Sequence, residues 1–172
     1  MIDLNIKAEK VLNYTKRFVA FLDVLGFTKM VFNDNKKINK YFGLIEDTIT
    51  QLKEIENKKE IESIIISDSV ILSIQYEEFD KEDKLRHLCI AVGLIQQQLA
   101  LNDIMLRGGI SFGETYFDSK SNQIVGKGYI NAYQLEEHDA IFPRVVLDLK
   151  LINEFKLNNA TELIALINKK DE

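Results

Sequence analysis

Apolar residues crowd together between Arg17 and Leu25, where RFVAFLDVL is broken only by Asp23. Such a run reads as a central strand covered on both faces. Gly26 and Phe27 then turn the chain into a short helical segment ending near Phe32, and the polar NDNKK is a loop. From Ile38 onward the apolar positions are Ile38, Tyr41, Phe42, Ile45, Ile49, Leu52 and Ile55. Their steps of three and four make one face of a helix. The charged ENKKE is the solvated end of that helix and the turn after it.

Two strand-like runs follow, 61–66 and 70–76, separated by Ser67-Asp68-Ser69. They predict a hairpin with an acid at its tip. Beyond the hydrophilic EEFDKEDK, residues 85–99 place Leu85, Leu88, Val92, Ile95 and Leu99 on one helical face. Residues 104–117, IMLRGGISFGETYF, read as a strand whose glycines admit close backbone approach. DSKSN is a turn and QIVG returns as another strand. A helix over about 129–138 carries Tyr129, Ala132, Tyr133 and Leu135, residues 144–147 form a last short strand after Pro143, and the final 25 residues are helical and charged. The order βααββαββαβ predicts an α+β fold, a ferredoxin-like palm with a mostly antiparallel sheet and helices on one face. A doubly wound fold would need regular β-α alternation and a glycine-rich first turn, and neither is present.

Composition narrows the function classes. The 172 residues suit one domain spanning 1–172, with no repeat and no Gly/Ser-rich linker. No apolar run is long enough for a membrane span. The N-terminal MIDLNIKAEK lacks the basic-then-apolar pattern of a signal peptide. A lone cysteine, Cys89, fits a reducing cytoplasm, the expected location. A net charge of −5 opposes a broad nucleic-acid surface, yet it leaves room for a nucleotide whose phosphates are carried by metal ions.

Two acids sit in apolar company. Asp23 lies between Leu22 and Val24, and Asp68 follows three isoleucines at the hairpin tip. Carboxylates are seldom buried unless paired or holding a metal. A lone acid at a strand end is more often a cap or an ion-pair partner. In a palm, however, the first strand and the hairpin lie side by side, so the pair can converge. Two convergent carboxylates suit Mg²⁺, which takes its other ligands from phosphate and water.

These residues carry a resemblance. FLDVLGF at 21–27 resembles the first-strand signature of class III nucleotidyl cyclases, and ISDSV at 66–70 resembles their metal-binding hairpin. LRGGISFGE at 106–114 resembles the strand that follows, and GKGYINAYQLE at 126–136 the segment entering the dimer-interface helix. The four segments occur in the family's order over roughly residues 17–147. The resemblance implies the class III cyclase fold. It implies Asp23 and Asp68 as ligands of two Mg²⁺ or Mn²⁺ ions, with the Val24 backbone carbonyl as a third ligand. It implies that Gly26 and Phe27 start a helix whose free amides cradle phosphate, a role that helix N-termini suit. A strand-to-helix turn with an aromatic plug is the blander reading of the same two residues.

The departures are equally specific. The base-reading lysine of the family's purine-specific members falls on Ile64, and their base-reading aspartate on Gln123. The transition-state asparagine and arginine fall on Ile130 and Gln134, and a one-residue slip restores only the former, as Asn131. The wording of these segments looks most like the bacterial pyrimidine cyclases of the Pycsar antiphage systems. An amide such as Gln123 can offer a pyrimidine both a donor and an acceptor.

Charge building on the α-phosphate and pyrophosphate needs cations. Arg107, Lys127 and Arg144 are the candidates, with a fold-internal ion pair the alternative for Arg107 and surface or interface roles for the other two. His87 is a boundary residue and His138 faces solvent, and neither has metal-ligand spacing. Tyr129 and Tyr133 fit packing, and a tyrosine can also stack on a base.

The resulting expectation is a phosphorus–oxygen lyase. It would convert UTP, or else CTP, to the 3′,5′-cyclic nucleotide and pyrophosphate. By resemblance it would be a homodimer with sites at the interface, serving an antiphage system with a separate cyclic-nucleotide-sensing effector. A purine cyclase, a degenerate nucleotide-binding dimer module and a ferredoxin-like RNA binder are the alternatives. The acidic balance and the lack of an aromatic-rich RNA-binding strand oppose the last.

Overall fold

The computed structural model describes residues 10–55 and 60–169, with the side chain of Ile55 outside that description. The expectations for the first nine residues and for most of ENKKE therefore lie outside the described residues.

Twelve elements are described: β1 (Thr15–Val24), α1 (Phe27–Asn33), α2 (Asn35–Ile55), β2 (Ile61–Ile66), β3 (Ser69–Gln75), α3 (Lys81–Ala100), β4 (Leu106–Asp118), β5 (Gln123–Gly126), α4 (Lys127–His138), β6 (Val145–Leu147), α5 (Lys150–Glu154) and α6 (Ala160–Asn168). The sheet order is β2-β3-β1-β4-β5, with β6 added to β4. Every pairing is antiparallel except β4 with β6. This is the α+β palm expected from the pattern.

The apolar run of β1 is explained by its place. It is central, and successive side chains alternate between two cores. Phe18, Ala20, Leu22 and Val24 enter the larger core, which α2, α3, α5 and α6 close with Tyr41, Ile45, Leu85, Leu88, Ile95, Leu151 and Leu163. Val19 and Phe21 enter a smaller core on the opposite face, with Ile64, Ile71 and Ala132. That second core modifies the expectation of helices on one face, because α4 covers the other. The physical reason is Gly109. A Cβ there would meet the Ala132 carbonyl oxygen at 2.4 Å and the Leu135 Cβ at 2.6 Å, so the missing side chain lets the α4 backbone lie directly on β4. The apolar face expected for the second long helix is buried as proposed. The C-terminal helices also bury Leu151, Phe155 and Leu163, a contribution their charge conceals.

Candidate active site

Asp23 is the penultimate residue of β1 and follows Val19 and Phe21 onto the α4 side of the sheet. Its Cα partners are Ser69 in β3 and Arg107 in β4. Asp68 lies in the β2–β3 turn, and its carbonyl accepts the Val24 N–H at 3.1 Å. The hairpin tip is thus pinned to the end of β1, and the two acids separated by 45 residues in the chain become neighbours. Ser67 takes a positive φ of 58° to make that turn.

Burial pushes the Asp23 carboxyl above its usual range. Asp68 adds to the rise, while Arg107 opposes it. The Arg107 Nε stands 3.7 Å from Asp23 Oδ2 and 2.6 Å from Glu136 Oε1. Among the described residues neither the Arg107 Nε nor that Glu136 oxygen has an aligned hydrogen bond, so their contact is electrostatic. Glu136 comes from α4 and is buried, and burial likewise raises its pKa, with Arg107 opposing and Asp23 adding to the rise. The cluster therefore sets Asp23, Asp68 and Glu136 against one guanidinium.

A surplus of negative charge at a partly dry strand end is a setting for a divalent cation. Among the described residues no group of three or more His, Cys, Asp or Glu is placed to hold a metal. Two carboxylates are what Mg²⁺ takes when phosphate and water complete its shell, so the donor set fits that kind of ion.

Gly26 follows in the left-handed region, with φ 74°, and α1 begins at Phe27. Only glycine adopts this conformation without strain. The Phe27 ring packs edge-on to Tyr41 at 5.7 Å, which bears out the aromatic-plug reading of that side chain.

The remaining sequence candidates divide. Arg144 is brought near Arg107 through its backbone, which accepts the Gly108 N–H at 3.0 Å, but its guanidinium donates to the Asp139 carbonyl. Asn131 is half-buried on α4, and Lys127 is exposed at the start of that helix. Ile64 is 1% exposed among Val19, Phe21 and Ile71, and offers a ligand no polar group. Tyr129 and Tyr133 pack edge-on against Phe21, at 6.0 and 5.4 Å.

Gln123 is exposed at the start of β5 and is not free. The Lys10 ammonium donates to its Oε1 at 3.0 Å and to the Tyr116 hydroxyl at 2.7 Å. Because an ammonium only donates, the amide must turn its oxygen to Lys10, leaving its NH₂ as the group on offer. Leu12, Ile66, Tyr116, Gln123, Val125 and Tyr129 line an open groove of about 470 Å³ that begins two residues from Asp68.

Glu136, Tyr41 and Lys10 belong to this description, and sequence reasoning missed all three. Glu136 was visible only as the last letter of a motif. Tyr41 reads as one more apolar position of α2, and Lys10 precedes the first strand with no pattern around it.

No family model matches the chain, and no curated protein does. Solved structures do. The adenylyl cyclase CyaB from P. aeruginosa aligns with a TM-score of 0.57 at 17% identity, covering 86% of this chain and 83% of that one. A bacterial light-regulated adenylyl cyclase gives 0.55 at 15% identity, covering 77% and 75%. The guanylyl cyclase Cya2 gives 0.50 at 18% identity, covering 75% and 73%. The fold is that of class III nucleotidyl cyclase catalytic domains. No helix among the described residues is long and apolar enough to cross a membrane.

Proposed function

We propose that this chain is a divalent-metal-dependent nucleotidyl cyclase that acts on a pyrimidine nucleoside triphosphate, UTP ahead of CTP. The observation that carries the reading is the convergence of Asp23 and Asp68 at the end of β1, with Arg107 beside them. In the reaction the ribose 3′-oxygen bonds to the α-phosphorus, the bond from that phosphorus to the bridging oxygen breaks, and pyrophosphate leaves. Mg²⁺ or Mn²⁺ bound there would supply Lewis acidity at the attacking hydroxyl and at the triphosphate.

The chain's own groups do the rest. Asp23 and Asp68 would hold the cations, with the Val24 carbonyl alongside. The backbone N–H groups after Gly26 donate to phosphate oxygens, while Phe27 anchors the turn from beneath. Arg107 balances the carboxylates and, with Lys127 and Arg144, is the cation reserve for the departing charge.

Base choice rests on Gln123. With its oxygen held by Lys10, its amide offers a donor, which suits a carbonyl at the base edge and not an exocyclic amine. Uracil carries that carbonyl where cytosine carries the amine. Ile64 is buried in the smaller core, so no polar purine reader stands at that position. Ile130 and Val125 are exposed apolar residues on and beside α4, which supports pairing of two copies across that face. A second-messenger role in antiphage defence, read by a separate cyclic-nucleotide effector, completes the proposal.

The test is turnover of the four ribonucleoside triphosphates with Mn²⁺, resolved by chromatography, beside Asp68→Ala. A cyclic UMP peak absent from the variant is the expected result. A cyclic GMP or cyclic AMP peak would keep the chemistry and overturn the base assignment. No product from a folded dimer that still binds nucleotide would favour a degenerate module.

A further inference from the structure

Tyr41 is a buried polar group that the cyclase reading leaves unused. It is fully inaccessible in α2 and belongs to the same core cluster as Leu22, Val24 and Val70, the residues that flank the two acids. Phe27 and Phe42 hold its ring, with centroids at 5.7 and 4.9 Å. Among the described residues its hydroxyl has no hydrogen-bond partner. A hydroxyl buried in that way costs stability that phenylalanine would avoid, so an orphan of this kind asks for a partner.

Asp68 stands two residues before Val70 of that cluster, in a turn pinned to Val24 of the same cluster. Among the described residues the Asp68 carboxylate makes no ion pair and accepts no side-chain or turn hydrogen bond, whereas Asp23 has Arg107. Burial, then the Asp68 charge, then the Asp23 charge hold the Tyr41 phenol well above its ordinary pKa, so it is a neutral donor throughout the physiological range.

We propose that Tyr41 is a positioning residue of the carboxylate pair, whose hydroxyl donates to an Asp68 oxygen when a divalent cation binds and so fixes which oxygen faces the ion. A donor behind a ligating carboxylate restricts its rotation and orients it, the usual work of an outer-shell group. The inference rests on the two-carboxylate metal site of the proposed function, and is independent of the nucleotide and of turnover.

Tyr41→Phe keeps the ring and its packing and removes only the hydroxyl. Mn²⁺ binding without nucleotide, followed by calorimetry, is expected to weaken about tenfold in the variant. The melting temperature of the metal-free variant should not fall, which separates positioning from a structural role. Mg²⁺ should also perturb the tyrosine absorption band of the wild type, and that difference should vanish in Tyr41→Phe. Equal Mn²⁺ affinities for wild type and Tyr41→Phe, with Asp68→Ala not binding, would overturn the Tyr41 proposal and leave the metal site standing. Absence of Mn²⁺ binding by the wild type would overturn both.

Discussion

Gly109 is where a single methyl group should disturb the whole α4 face. Its added Cβ would lie 2.4 Å from a backbone oxygen of α4, 2.6 Å from the Leu135 Cβ and 3.2 Å from the Glu136 nitrogen. Two of these neighbours are backbone, so relief requires lifting the helix. Overpacking of this kind typically costs about 1–3 kcal/mol, and rigid neighbours place Gly109→Ala near the upper end. Reduced freedom of the unfolded chain returns about 0.4–1 kcal/mol. The net loss is about 2 kcal/mol, or roughly 4–8 °C in melting temperature for a chain of this size. Gly93→Ala is the matched control. A Cβ there meets nothing within 4 Å on an exposed position of α3, so propensity alone acts and the variant should gain up to about 1 kcal/mol. Urea unfolding followed by circular dichroism reads both changes. The reasoning fails if Gly109→Ala melts within about 1 °C of the wild type, because α4 would then not rest on β4 as described.

Three further outcomes follow from two other residues. Burial pushes the Cys89 thiol up to about 12 from 9.0, so iodoacetamide should label it only after unfolding. Between those values the unfolded chain releases a proton that the folded chain keeps, so stability falls as pH rises, and Cys89→Ala should flatten that slope in alkaline melts. Lys10→Ala frees the Gln123 amide to turn either way, so the preference for UTP over CTP should drop several-fold in competition assays while turnover of the better substrate persists.

Most of the architecture is legible in the order of apolar and polar positions. The unbroken apolar run of β1 needed a strand buried on two sides, and the periodicity of α2 and α3 needed one large core to receive it. Those statements depend only on which positions avoid water, so they are legible along the chain. The pairing of Asp23 with Asp68 was anticipated because a hairpin beside a central strand leaves little choice of neighbour. Tertiary structure decided what lies across the sheet. Arg107 meets Glu136 only because α4 crosses at Gly109, a contact between elements that no local pattern encodes. Tyr41 looks like packing until its hydroxyl is seen to lack a partner among the described residues. Gln123 could offer either end of its amide until Lys10, 113 residues earlier, took the oxygen. Hydrophobic burial is a property of each residue in turn and is written into periodicity. The direction of a hydrogen bond or the partner of a charge is a property of pairs, and folding alone brings those pairs together.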